Sequence, residues 1–253
     1  MRRVTVVRAG GFSLIAAALA FAGVFTFLAM QFNYPAVLDG DAAEVLPKLL
    51  ATGSAGRAVW AVYGFIPLLL IPAAVGAFYS LRDGREGSMV LALLLAIVAS
   101  LSMMLGLLRW PSIHWEFASR YAVAEIAEQA GIAAVFAGLN SYLGNYIGEF
   151  LGELCLNLFF LLSATAMLTH PRKFPRWIGY LGLFTAIAGL LGMFRNVSDA
   201  VAPAAALNNY LLPLWMIIFG VALIRDSASG ESQPDDARER AHDASTSHHA
   251  STS

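Results

Sequence analysis

Residues 144–168 read GNYIGEFLGELCLNLFFLLSATAML, and the second half of that stretch decides what kind of chain this is. From Leu154 onward it is apolar, and with the turn before it the run 147–169 is long enough to cross a bilayer as a helix. The first half places Gly144, Gly148 and Gly152 at four-residue spacing and interleaves Asn145, Glu149, Glu153 and Asn157 at the same spacing. On a helix these become a smooth ridge beside a polar one. Two carboxylates at or inside a membrane boundary need a partner, and ionisable groups in such places mark function by default.

Composition agrees with that reading across the whole chain. Hydrophobic residues make up 58% of the 253 residues and charged residues only 13%, about half the charged share of an ordinary soluble domain, with a mean hydropathy of +0.65. The charges are bunched between long apolar runs, so the chain is expected to be an all-α polytopic transmembrane bundle and the lipid bilayer its first partner. A net charge of -1 leaves no basic surface for nucleic acid. Cys155 is the single cysteine, which excludes an internal disulfide and a cysteine metal cluster.

Six spans are expected, over about 9–31, 58–80, 88–108, 147–169, 177–194 and 204–224. The first is longer than the core of a signal peptide and is read as a retained helix. Pro67 and Pro72 should kink the second unless neighbouring helices satisfy the freed backbone groups. Residues 1–225 then form one transmembrane domain. From Asp226 the composition shifts to Ser, Asp, Glu, His and Arg, which bury too little to offset the entropy of ordering, so 226–253 is expected to be a disordered, polar, cytoplasmic tail.

Basic residues orient the bundle. Arg2, Arg3, Arg8, Arg82, Arg85, Arg172, Lys173, Arg176 and Arg225 fall on the side of the termini, whereas Lys48, Arg57, Arg109, Arg120 and Arg195 fall on the other. Nine against five places both termini in the cytoplasm and the connections 32–57 and 109–146 outside. Within the first connection, Asp41 and Glu44 have the spacing of a helix start, with Leu46, Leu49 and Leu50 on the membrane interface and Pro47 keeping the helix short. Within the second, 119–143 alternates Ile126, Ala130, Ala133, Val135, Phe136 and Leu139 with Glu125 and Glu128. That pattern fits an outer amphipathic helix or a half-inserted seventh span.

If the fourth span ends near His170, a core about 30 Å thick puts Glu149 at the outer boundary and Glu153 one turn deeper. Arg109 and Arg195 end the third and fifth spans at matching depth. Glu149, Glu153, Asn145, Asn157, Arg109 and Arg195 are therefore the candidate binding residues, either lining an outward-open cavity or forming an ion-pair knot that fixes helix register. Gly144, Gly148 and Gly152 are read as helix-packing residues, facing either a helix of this chain or the same ridge in a homodimer; room for a ligand is the alternative.

His114 and Glu116, in RWPSIHWEF at 109–117, would suit a zinc-like ion together with Glu149 or Glu153. A single His two residues from a Glu is a weak signal, and a water-exposed loop histidine is the simpler reading. Trp110, Trp115 and Tyr121 read as an interfacial aromatic belt. The chain has no HExxH, GxSxG, phosphate loop or CxxC, so no metal or cofactor is expected and enzymatic activity has no signature here.

Arg8-Ala9-Gly10, the early kinked second span, the stretch Tyr142 to Gly152 and Phe174-Pro175-Arg176-Trp177-Ile178-Gly179 together resemble the bacterial multi-pass membrane family known as domain of unknown function 4386. The resemblance covers about residues 8–225. It implies a compact bundle of about six helices in a bacterial inner membrane and carries over no activity and no site residues. The tail after Arg225 and the segment 109–146 depart from shorter members.

Three functional readings remain. The leading one is binding or movement of a small solute or a proton through an outward-facing polar pocket containing Glu149 and Glu153. The others are a structural or regulatory envelope protein without catalysis, and an intramembrane acid–base enzyme such as a cyclase or isomerase in which one carboxyl donates a proton.

Overall fold

The computed structural model describes residues 3–171 and 173–250, apart from the side chains of Asp39 and of 229–250. The described residues are helical, with no strand among them. Six helices are long and apolar enough to cross a membrane: Arg3–Phe32, Gly53–Leu81, Glu86–Tyr121, Ile126–Thr169, Arg176–Asn196 and Asp199–Ala228. The sixth belongs to a helix running Ala202–Ala250.

Each span packs on its neighbours in sequence, and the sixth closes on the first. The result is an up-and-down ring of six helices. Small residues set its tightest seams: a Cβ added to Gly10 would stand 2.7 Å from Gly76 Cα between the first and second spans, and one added to Gly106 would stand 2.7 Å from Gly148 Cα between the third and fourth. Side chains such as Phe12, Leu19, Leu94, Leu105, Phe184 and Ile187 are exposed on the outer surface, as suits a lipid-facing perimeter.

The second span is interrupted as its prolines require. Ile66–Leu69 is a 3-10 turn containing Pro67, and serines of the flanking spans satisfy carbonyls there. Ser13 Oγ donates to Leu69 O and Ser100 Oγ to Pro67 O, both at 2.7 Å, which removes the cost of leaving those groups bare in lipid.

The segment 109–146 is not a long loop, and this is the main correction to the sequence reading. The third helix continues through a π-helical turn at Trp110–His114, where Pro111 has no N–H to give and His114 N instead reaches Arg109 O at 2.9 Å. It ends at Tyr121, and the fourth begins at Ile126. Helices of 36 and 44 residues measure roughly 54 and 66 Å at 1.5 Å per residue, against a hydrocarbon core of about 30 Å. Both helices are longer than one core thickness, so 119–143 belongs to a helical hairpin continuous with the third and fourth spans.

The short helix Ala42–Ala51 packs on both arms of that hairpin. Asp41 caps it, accepting from Glu44 N at 2.9 Å, which is the start expected from their spacing. Leu46 and Leu49, expected on the membrane interface, are fully buried in this cap. Arg57 of the second span fastens the third-helix arm of the hairpin, donating from Nε to Pro111 O at 2.9 Å and lying over the Trp115 ring.

At the opposite end, Asp226 accepts from Ser80 Oγ at 2.7 Å and pairs with Lys173 Nζ at 3.0 Å. Its side chain is largely buried, so the packed unit extends past the expected limit at 225. The disorder expected of the tail concerns, from 229 on, side chains outside the described residues.

Candidate functional site

At the capped end the ring encloses a cavity of about 460 Å³, within the size range of small-molecule sites. All spans contribute to its wall, and residues 34–38 of the first connection lie across it. Arg109, Arg195, Glu149, Glu153, Asn157, Gly144 and Gly148 all line it. Asn145 and Gly152 do not: the Asn145 carbonyl accepts from Asn196 Nδ2 at 3.4 Å, and Gly152 faces Met103.

One arginine holds both acids. Arg195 donates from Nη1 to Glu153 Oε2 at 2.7 Å and from Nη2 to Glu153 Oε1 at 2.8 Å. Its Nη2 also lies 2.8 Å from Glu149 Oε2, which accepts in addition from Asn196 Nδ2 at 2.9 Å. The fork of a guanidinium matches a carboxylate in this bidentate way. Helix geometry brings the acids to it, since Glu149 and Glu153 are four residues apart on one helix and Arg195 ends the facing one.

Arg109 stands outside that triad. Its side chain is buried, its Nε and Nη2 donate to Asn140 Oδ1 at 3.2 and 3.1 Å, and its Nη1 donates to Gly106 O. It lies over the Trp110 ring, and among the described residues no carboxylate forms an ion pair with it. The reason is Gly144. A Cβ there would fall 2.3 Å from Arg109 Nη2 and 2.5 Å from Cζ, so only glycine lets the guanidinium rest against the helix backbone. The four-residue knot expected from sequence is therefore a three-residue knot plus a separately seated cation.

The glycine ridge is filled from within the chain. Gly144 seats Arg109, Gly148 meets Gly106 and Gly152 meets Met103, so the third span occupies the face that a second copy would need. The wide turns of the π-helical stretch Asn140–Leu151 set how these residues face the cavity, and π-helical turns recur at functional sites.

The remaining wall is aromatic. Trp60 stacks on Trp110 with ring centroids 4.9 Å apart, Tyr34 stands edge-on to Trp60, and the Tyr34 and Tyr63 hydroxyls are 3.3 Å apart. Burial pushes the Tyr34 phenol above its ordinary pKa, keeping it a neutral donor and acceptor. Trp110, expected in an interfacial belt, is instead 1% exposed within this cluster. Trp60 Nε1 and Asn208 Oδ1, on residues that line the cavity, have no hydrogen-bond partner among the described residues; neither has Asn157 Oδ1, which lies against Gly189. Buried polar groups left without a partner are uncommon and call for a reason.

His114 is not a water-exposed loop residue. It is fully buried between Trp110 and Phe136, with both ring nitrogens unpartnered, while Glu116 is taken by Arg120 at 2.8 Å. No group of three metal-ligating side chains occurs among the described residues. The residues that sequence reasoning missed are Tyr34, Trp60, Tyr63, Asn196 and Asn208. Asn208 alone carried a usable signal, as half of an Asn-Asn pair inside an apolar span.

A ring of six apolar helices with a polar, aromatic-walled cavity at one end defines a multi-pass membrane protein with an internal cavity. The chain belongs to the family described as Domain of unknown function (DUF4386), which matches residues 9–224. No curated protein and no solved structure matches it.

Proposed function

We propose that this protein binds a small solute in the cavity at its capped end, entering from the outer face of a bacterial inner membrane with both termini in the cytoplasm. The carrying observation is the convergence of Arg109, Arg195, Glu149 and Glu153 with the Tyr34–Tyr63 hydroxyl pair on one cavity of about 460 Å³. A knot serving only helix register would enclose its own charges and fill the space between them. Here the triad satisfies Glu153 completely, yet Glu149 Oε1 accepts no hydrogen bond among the described residues. The acid–base enzyme reading is less well supported, because both oxygens of Glu153 are engaged by Arg195 and a general acid must present its proton to substrate.

Cysteine accessibility tests access and orientation together. In a Cys155→Ser background, Asn208→Cys is expected to react with a small membrane-impermeant methanethiosulfonate added to the outside of intact cells. Val123→Cys, in the exposed turn of the hairpin, should react likewise, and Asp83→Cys only after permeabilisation. Labelling of Val123→Cys solely from the cytoplasm would invert the orientation. An Asn208→Cys protein that folds but reacts from neither side would mean a sealed polar knot.

A further inference from the structure

We infer that the solute is a small zwitterion with an apolar or aromatic body, an inference that rests on the cavity being a binding site. The charges on its wall are not distributed as a neutral knot. Glu149, Arg195 and Glu153 together carry one uncompensated negative charge, and exposed Asp199 adds another to the lining. Arg109 carries the balancing positive charge at a separate seat, fixed by Asn140 and Gly106 and joined to the acids by no hydrogen bond or ion pair among the described residues. The two poles belong to one cavity.

Their spacing follows from the helix that holds both. The Arg109 guanidinium rests against Gly144, and Glu149 is five residues further along the π-helical stretch, an axial rise of about 7.5 Å at the α-helical 1.5 Å per residue. An anionic and a cationic group separated by a few bonds span that distance. The anionic end of the solute takes the free N–H groups of Arg109, and its ammonium takes Glu149 Oε1, which has no other partner among the described residues. The apolar body lies among Phe21, Tyr34 and Tyr63, which line the cavity.

A purely anionic solute would meet Arg109 but bring its charge toward Glu149 and Asp199. A purely cationic one would leave Arg109 buried without an anion. Either mismatch costs affinity because opposed or unpaired charges are penalised at low dielectric.

Three probes that share a skeleton separate the possibilities: phenylalanine, phenethylamine, which lacks the carboxylate, and 3-phenylpropionate, which lacks the ammonium. Binding to the full chain in non-ionic detergent is read from tryptophan fluorescence and from thermal stabilisation. Phenylalanine is expected to bind at least about tenfold more tightly than either analogue. Glu149→Gln should remove that preference over 3-phenylpropionate, and Arg109→Gln should remove it over phenethylamine. Arg109→Lys keeps the charge if the glutamine variant does not fold, and should keep the preference for the zwitterion.

Tighter binding of either analogue by the unaltered protein overturns the inference and leaves the binding site standing. So does binding of none of the three at millimolar concentration while Asn208→Cys is labelled from outside. If Asn208→Cys is not labelled and no probe binds, the site itself is refuted.

Discussion

Arg195→Gln is expected to lower stability by about 3 kcal/mol, the largest loss from any single change in the polar cluster. Removing this cation leaves Glu149 and Glu153 close together at the capped end of the bundle, each deprived of its hydrogen bonds to Arg195. The side chains are only partly accessible, so water replaces only part of what is lost. Glu153→Gln should cost less, because Arg195 retains Glu149. The Arg195→Gln, Glu153→Gln double variant should cost less than the two single changes added, since removing one acid with the cation relieves the repulsion. Thermal unfolding in a mild detergent measures all three. Wild-type stability in the Arg195→Gln protein would show that the triad does not hold the fifth span to the fourth.

Gly106→Val is expected to cost about 3 kcal/mol, at the upper end of overpacking effects. The atom that even a single added carbon would meet is Gly148 Cα at 2.7 Å, followed by the Leu143 carbonyl at 3.0 Å. Backbone cannot swing aside as a side-chain tip can, so the third and fourth spans must separate. That seam also carries Gly144 and the guanidinium it seats, so probe binding should fall along with stability. Gly131→Ala is the matched control, since nothing lies within 4 Å of its added Cβ. Equal stability of Gly106→Val and Gly131→Ala would mean that the third and fourth spans do not cross at this point.

Much of the fold was legible in the sequence because lipid imposes a simple rule: every span must be a long apolar helix. The six spans, the interrupted second helix with its neighbouring donors and the Asp41 cap follow from residue pattern alone. The hairpin formed by 109–146 does not, because Pro111 reads as a helix breaker and the π-helical turn that accommodates it has no sequence pattern of its own. Within 119–143 only Phe136 of the six apolar positions is buried, and the helix Ala42–Ala51 that packs on this arm comes from a distant part of the chain, which periodicity cannot show. At the site, the spacing of Glu149 and Glu153 exposed the shared face, and depth matched them to arginines. Depth could not say which arginine, because the choice depends on Gly144 opening a seat that only Arg109 reaches. The aromatic wall was hidden altogether, since Tyr34, Trp60 and Trp110 come from three segments and look individually like interfacial residues.

The central claim is that the capped end holds a binding cavity and not a closed polar knot. An experimental density map of the protein in lipid nanodiscs with saturating phenylalanine tests it most directly. The account predicts ordered non-protein density reaching from Arg109 to Glu149 and lying against Trp60 and Asn208. A cavity collapsed onto its own side chains, with Arg109 bonded directly to Glu149 or Glu153, would contradict it.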